Sequence, residues 1–260
     1  MDVLQALILG LIQGLTEFLP VSSSGHLEIG HVLFGVEGES SMLFDIILHG
    51  ATVLSTLVVF RKEIYELMKG LFEFKWNEPT QYFSKLIVSA IPVGIAGVLF
   101  KDQIETLFTG HLLWVGIALI FTAALLAFAN FARQGERKIK FIDAFVIGIA
   151  QMIAIVPGVS RSGSTIATGM LLGNSKNNLA KFSFLMVILP ILGANLLSVV
   201  SGDLSSEANV AVLPLVVGFI AAFVSGLLAC KWMVNIVRKG KLIYFAVYCA
   251  VIGLIAIFAA

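Results

Sequence analysis

Two short polar loops, each enclosed by apolar sequence, limit what this 260-residue chain can fold into. Residues 21–25 read VSSSG, and residues 159–163, 138 positions later, read VSRSG. His26 follows the first loop, and Arg161 lies within the second. At membrane depth, polar breaks of this kind are tolerated only where they line a site or are covered by protein. The two loops are therefore the candidate functional segments.

The similarity between the two segments extends beyond the loops. At the same offset, nine of the thirty residues from 6 to 35 are identical to residues 144–173. A repeat of this length predicts a single integral membrane domain, residues 1–260, built from two halves at approximately 1–135 and 136–260. Outside the loops, Ala6, Gly10, Gln13, Leu33 and Gly35 match Ala144, Gly148, Gln151, Leu171 and Gly173.

The composition is that of a helical membrane protein. Hydrophobic residues make up 58% of the chain and charged residues 13%, and the mean hydropathy is +0.99. Several apolar runs reach the roughly 20 residues that a helix needs to cross a bilayer. A net charge of +1 gives no indication of nucleic-acid binding, and we expect none. Cys230 and Cys249 lie in apolar runs and are interpreted as small apolar residues.

The pattern predicts an all-α polytopic membrane protein with six transmembrane helices and two re-entrant helical hairpins. Each polar loop joins an apolar helix to a short second helix, which is typical of a segment that enters and leaves the membrane on one side. Each half then has one hairpin and three crossings, and this odd number gives the halves opposite orientations, an inverted repeat. The predicted crossings are 42–60, 83–100, 112–131, 182–201, 211–230 and 242–259.

Basic residues lie almost entirely on one side of this predicted topology. Fifteen Lys and Arg residues fall on that side, Lys101 falls on the other, and Arg161 lies in the second hairpin. The positive-inside rule therefore places both termini outside a cell (plasma or inner) membrane. Residues 61–76 mix charges with large apolar residues and are interpreted as an interfacial helix on the inner face. The loops expected outside carry Glu37, Glu39, Asp203 and Glu207.

The residue types in the two loops indicate phosphate chemistry. A Ser/Gly turn that opens a helix presents hydroxyl and backbone N–H groups where anions bind well. Arg161 adds a planar cation suited to phosphate oxygens. Glu17 and His26 add groups able to hold a metal or move a proton. Two such loops, if they meet, would form an anion-binding cradle suited to phosphoryl transfer.

Each candidate also has a structural interpretation. Ser and Gly can allow close helix packing, and Arg161 can form an ion pair with Glu17. Gln13 and Gln151 can satisfy buried backbone groups. Weaker candidates are Asp45 and His49, interpreted as an interfacial pair one helical turn apart, together with Thr165 and Asn195.

The motifs resemble those of the undecaprenyl pyrophosphate phosphatase (bacitracin-resistance) family. Residues 13–26, QGLTEFLPVSSSGH, and residues 157–163, PGVSRSG, correspond to its two signature motifs, and the resemblance covers the whole chain in length, span count and motif order. Members of that family are integral membrane enzymes that depend on a divalent cation. They remove the terminal phosphate of a C55 polyprenyl diphosphate and so regenerate the carrier for cell-wall glycans. The resemblance implies the same activity here.

Carried over by position, the resemblance implies that Glu17, Ser23, His26 and Arg161 are catalytic and that Glu17 holds a divalent cation, Mg²⁺ or Ca²⁺. Many members have Glu where this chain has Gln13, and an amide supplies neither a negative charge nor a base. The nucleophile is left open between Ser23, His26 and water. The residues expected to bind the diphosphate are Gln13, Ser22, Ser24, Gly25, Ser160, Ser162 and Gly163.

A transporter is the competing interpretation. A carrier or flippase for a phosphorylated lipid or an anion would use broken helices in the same way without hydrolysis. A nucleophile, a proton carrier and a phosphate clamp in one place favour the enzyme. We expect a polyprenyl diphosphate substrate whose tail stays among membrane lipids and a pocket that opens to the outer face. The sequence is compatible with a homodimer and does not specify the prenyl chain length.

Overall fold

The computed structural model describes residues 1–36, 39–100, 103, 111–132, 135–200, 211–239 and 241–260. Over these residues the chain is helical, and two isolated bridges between 135–137 and 174–175 are the extended pairings present. The predicted all-α class is confirmed. The helices are α1 Val3–Phe18, α2 Ser23–Phe34, α3 Glu39–Val59, α4 Arg61–Leu71, α5 Glu78–Leu99, α6 Leu112–Phe131, α7 Phe141–Ile153, α8 Arg161–Leu171, α9 Lys176–Met186, α10 Ile188–Val200, α11 Val212–Lys239 and α12 Ile243–Phe258.

Several charged and polar residues used in the sequence analysis lie outside the described residues. They are Glu37, Lys101, Arg133, Asp203 and Glu207, with the side chains of Glu39, Asn195, Arg238 and Lys239.

Four stretches in the described part of the chain are long and apolar enough to cross a membrane. They are α5, α6, Lys176–Ala194 across α9 and α10, and Val212–Val237 within α11. A fifth is added if α3 and α4, which are bent by 75° relative to each other, form one span. The bend separates α4 from the apolar part of α3, at the start of the predicted interfacial segment. Three further apolar helices, α1, α7 and α12, are shorter.

The span predicted at 182–201 differs most from the structure. It begins earlier, at Lys176, and is interrupted at Val187 between α9 and α10. Pro190 lies in the first turn of α10. A proline there has no N–H to continue the hydrogen bonding of α9, so one helix ends and another begins.

Local sequence explains where the first polar loop interrupts the helices. Asp2 and Gln5 form a capping box at the start of α1. Leu19 takes an extended conformation, with φ −72° and ψ 144°, as expected for a residue before a proline, and α1 ends at Phe18. The Ser22 hydroxyl then accepts from the Gly25 N–H and caps α2.

The second polar loop is built in the same way. α7 ends at Ile153, four residues before Pro157. The Ser160 hydroxyl accepts from the Gly163 N–H at 3.0 Å and caps α8. The predicted pattern of helix, polar loop and short helix is therefore present twice.

Small residues hold the helix before each loop against a long apolar helix. α1 packs on α11 and α7 packs on α5. A Cβ atom added at Gly14 would lie 2.5 Å from the Ala222 carbonyl oxygen, and one added at Gly148 would lie 2.4 Å from the Ser89 carbonyl oxygen. Backbones can approach this closely only where the side chain is a hydrogen atom.

We predict that Gly14→Ala destabilises the protein by about 1–3 kcal/mol, because the new methyl group has no space between α1 and α11. The matched control is Gly94→Ala, since an added Cβ at this helical glycine meets no atom within 4 Å. Thermal unfolding of both variants in detergent provides the comparison. Equal midpoints for the two variants would contradict the packing described here.

Candidate active site

The two polar loops lie against each other. A Cβ atom added at Gly25 would lie 2.9 Å from the Gly158 Cα, and one added at Gly163 would lie 3.3 Å from the Pro20 Cβ. The Ser162 hydroxyl donates to the Leu19 carbonyl oxygen at 3.1 Å. The segments that sequence analysis selected separately therefore form one site.

The first residues of α2 and α8 converge on one carboxylate. The Ser23 hydroxyl donates to Glu17 Oε2 at 2.6 Å, and Arg161 Nη2 donates to Glu17 Oε1 at 2.8 Å. The Glu17 side chain is 8% exposed and that of Arg161 is 25% exposed. Because Ser23 and Arg161 each follow a capping serine, equivalent helix starts supply a hydroxyl and a cation to the same acid. The structural ion pair between Arg161 and Glu17 is present.

Two further side chains approach Glu17. Gln13, one turn earlier on α1, donates from Nε2 to Glu17 Oε2 at 3.0 Å, and His49 Nε2 lies 3.7 Å from the same oxygen. Gln13 is fully buried, and its Oε1 atom has no hydrogen-bond partner among the described residues. Gln13 therefore orders the acid and leaves a buried oxygen available to a ligand, instead of satisfying backbone groups.

His26 occupies a separate part of the site. Its Nδ1 lies 2.8 Å from the Ser22 carbonyl oxygen, and its Nε2 lies 2.9 Å from the Tyr248 hydroxyl on α12. Both ring nitrogens are thus engaged away from Glu17. In this structure the carboxylate of Glu17, and not the imidazole of His26, is the group in position to accept the Ser23 proton.

The remaining loop serines have clear local partners. Ser22 and Ser160 are the helix caps, and each also lies near the serine two positions later in the chain. The Ser22 and Ser24 hydroxyl oxygens are 3.3 Å apart, and those of Ser160 and Ser162 are 3.4 Å apart. These hydroxyl groups, with the N–H groups at the starts of α2 and α8, surround the point where the helix termini meet.

A small cavity lies beside the Glu17 and Arg161 pair. Its volume is about 20 Å³, enough for about one water molecule. Gln151 lines it, and its buried Nε2 atom has no hydrogen-bond partner among the described residues. Its other polar lining residues are Thr52, Thr56, Ser162, Thr165 and Ser183.

Comparison with known proteins identifies the family of this chain. Residues 6–255 match the family described as bacitracin resistance protein BacA. The chain belongs to the BacA family. It is 57% identical to an undecaprenyl-diphosphatase of Bacteroides fragilis, over 99% of this chain and 98% of the relative. Proteins of the same name from Parabacteroides distasonis and Methanosphaera stadtmanae are 58% and 39% identical, over 97% and 99% of this chain and 96% and 98% of the relatives.

One pairing predicted from sequence in this BacA-family chain is wrong. Asp45 and His49 do not pair through their side chains. Asp45 Oδ1 lies 3.0 Å from His31 Nε2, whereas His49 Nδ1 lies 2.8 Å from the Asp45 backbone carbonyl oxygen and His49 Nε2 lies 3.7 Å from Glu17 Oε2. Residues one helical turn apart lie on the same helix face, but here His31 on α2 contacts Asp45 and Glu17 on α1 lies near His49. Thr165, a weak candidate, lies within 2.9 Å of the Arg161 carbonyl oxygen and 2.6 Å of the Ser183 hydroxyl.

Sequence reasoning also missed Thr122 on α6. Its hydroxyl donates to the Gly158 carbonyl oxygen and accepts from the Ser160 N–H, both at 3.1 Å. Thr122 is fully buried, so these two backbone groups have been removed from water. A polar residue inside an otherwise apolar helix was the available signal, because such a residue needs a partner. Thr122 holds the second loop in the conformation that presents Arg161.

We predict that Thr122→Val lowers both stability and activity. Valine keeps the shape of threonine but leaves the Ser160 N–H and the Gly158 carbonyl buried without their partner, at a cost of about 1–3 kcal/mol. Thr122→Ser retains the hydroxyl and serves as the control. Unfolding midpoints and turnover should fall for the valine variant and stay near wild type for the serine variant. A valine variant as stable and active as the serine variant would contradict this role.

Proposed function

We propose that this protein hydrolyses undecaprenyl diphosphate to undecaprenyl monophosphate and phosphate, and so recycles the lipid carrier for cell-wall glycan synthesis. The observation that carries the proposal is the convergence of Ser23 and Arg161 on Glu17. It places a nucleophile, a proton acceptor and a phosphate-binding cation within hydrogen-bond distance of one another. Relatives named undecaprenyl-diphosphatase at up to 58% identity over nearly the whole chain support this substrate.

In the first step, the Ser23 oxygen attacks the terminal phosphorus and its proton passes to Glu17. The phosphoanhydride bond breaks, undecaprenyl monophosphate leaves, and the terminal phosphoryl group stays on the serine as a phosphoserine. Arg161 binds the phosphate oxygens with its planar guanidinium group and the N-termini of α2 and α8 add further N–H donors. The Ser23–Glu17 hydrogen bond, which a carrier would not require, favours an enzyme over a transporter.

In the second step, water attacks the phosphoserine, and phosphate and the free Ser23 hydroxyl are released. His26 lies three residues after Ser23, so the two side chains leave the same face of α2. We assign it the role of accepting the proton of this water. Glu17 returns its proton to the serine oxygen as the bond to phosphorus breaks.

The oxygen atoms around Glu17 suit a divalent cation. In the described part of the chain, no group of three or more His, Cys, Asp or Glu side chains lies close enough together to bind a metal. The Glu17 carboxylate and the unpaired Gln13 Oε1 atom nevertheless offer two hard oxygen ligands, the number that Mg²⁺ commonly takes from protein beside water and substrate phosphate. A cation held there would neutralise diphosphate charge that Arg161 alone does not balance.

We further propose the topology of an inverted repeat with six crossings and two re-entrant hairpins. Contacts between the halves that occur in matched pairs support it. α1 packs on α11 of the second half, and its counterpart α7 packs on α5 of the first half. Gly25 lies against Gly158 and Gly163 against Pro20, and these are equivalent positions at the repeat offset.

The same topology orients the active site. The distribution of basic residues supports a protein with both termini outside and a pocket that opens to the outer face through the first hairpin. The prenyl tail would remain between helices in the lipid, and the charged headgroup would enter the loop region.

We predict that the purified protein releases phosphate from undecaprenyl diphosphate and that a chelator suppresses this release. Glu17→Gln should reduce turnover by at least a hundredfold, because the serine loses its proton acceptor and the cation its acidic ligand. Gln13→Glu, the matched control one turn away, should change turnover by less than about tenfold, because the position already works with a neutral oxygen. Wild-type rates and unchanged metal dependence in Glu17→Gln would rule out the role of Glu17.

A labelling experiment tests the orientation. In an otherwise cysteine-free variant, a single cysteine placed within 132–140 should resist an impermeant thiol reagent in intact cells, and one at Ser205 should react, because the positive-inside rule places these loops on opposite sides. Permeabilised cells control for the reactivity of each site. The reverse pattern would overturn the proposed orientation.

A further inference from the structure

Tyr248 contacts the catalytic region from the last helix of the chain. Its hydroxyl lies 2.9 Å from His26 Nε2, and the two rings are nearly parallel, with centroids 5.6 Å apart and planes 6° apart. Neither polar loop contains Tyr248, and the motifs do not reach it. The contact joins residues 222 positions apart, so it depends on the folded arrangement of α2 and α12.

The partners of His26 fix the hydrogen positions on its ring. The Ser22 carbonyl oxygen can only accept a hydrogen bond, so Nδ1, 2.8 Å away, must carry the hydrogen atom. In the neutral ring Nε2 then has the lone pair, and the Tyr248 hydroxyl is its donor. Tyr248 thus contacts the one ring nitrogen of neutral His26 that can accept a proton.

Tyr248 is itself held in place by its neighbour. Cys249, fully buried, lies with its sulfur 3.6 Å from the Pro20 carbonyl oxygen in the first polar loop. α12 also packs closely on α6, where a Cβ atom added at Gly253 would lie 2.9 Å from the Gly116 carbonyl oxygen. These contacts fix the position of α12, from which Tyr248 projects, relative to the loop that precedes His26.

We propose that Tyr248 takes part in the reaction through His26. Its hydroxyl donates along the Nε2 lone pair and so fixes the orientation and the tautomer of the imidazole. When water attacks the phosphoserine, the water proton passes to the phenol oxygen while the phenol proton passes to Nε2, so His26 receives the proton and the Tyr248 hydroxyl is restored. This role rests on the proposed phosphatase function and on His26 as the proton acceptor of its second step.

Tyr248→Phe tests the hydroxyl alone, because the ring remains and only the hydrogen bond to Nε2 is lost. Turnover should fall roughly tenfold while KM stays within about twofold of wild type, since the orientation of the base and its proton path matter in the transition state and not in binding. Tyr248→Leu removes the aromatic ring as well and should lose more activity. Tyr244→Phe is the control: the same change one turn earlier on α12, at a side chain 67% exposed, and it should have no effect.

A double-mutant cycle asks whether Tyr248 works through His26. In a His26→Asn background, Tyr248→Phe should cause no further loss of turnover. A tenfold loss in both backgrounds would show that Tyr248 acts by another route and would overturn the proposal, as would wild-type turnover in Tyr248→Phe alone.

Nitrogen-15 NMR of histidine-labelled protein provides a readout that needs no substrate. The chain has four histidines, so the His26 signals are assigned by their loss in His26→Asn. The Nε2 resonance should move in Tyr248→Phe and stay in place in Tyr244→Phe, whereas a purely packing role for the ring would move neither. An unmoved resonance would contradict the hydrogen bond. A wild-type protein that releases no phosphate would instead refute the proposed function, and the resonance test would still decide whether Tyr248 aligns His26.

Discussion

The ion pair between Arg161 and Glu17 is the interaction on which the site depends. It joins residues 144 positions apart, and with the Ser23 hydrogen bond it gathers the end of α1 and the starts of α2 and α8 at one carboxylate. Removing one partner of a buried pair leaves an uncompensated charge, which destabilises a protein by several kcal/mol. In the proposed reaction, substrate phosphate takes the place of Glu17 as the partner of Arg161, so the interaction that orders these helix ends is also the one that would bind the anion.

Local chemistry allowed much of this fold to be predicted. The loop boundaries follow from Pro20, from Pro157 and from the two capping serines, which act within a few residues of themselves. The same motifs identified Glu17 and Arg161, because a charged residue in an apolar segment requires a partner or a function. Tertiary packing decides which oxygen each group contacts, and it places Ser23 beside Glu17 and not beside His26.

Sequence reasoning missed Thr122 and Tyr248, and it gave His49 the wrong partner. Each of the three lies on a mainly apolar helix, and its contact is with a residue of another helix or loop. For His49, spacing on α3 indicated the Asp45 side chain, but Nδ1 lies 2.8 Å from the Asp45 backbone carbonyl oxygen and Nε2 lies 3.7 Å from Glu17 Oε2. A pattern along one helix describes its faces and does not identify what lies opposite each face.

The two loops place their positive-φ residue at different positions. In the second loop Gly158 takes φ +92°, which glycine accepts freely. The equivalent position in the first loop is Pro20, whose ring forbids positive φ, and the reversal moves to Ser22 at φ +68°. A side chain in that region costs about 1–2 kcal/mol. The first loop therefore carries backbone strain at its capping serine, directly before the proposed nucleophile Ser23, whereas the second loop places the same change of direction on a glycine and carries none there.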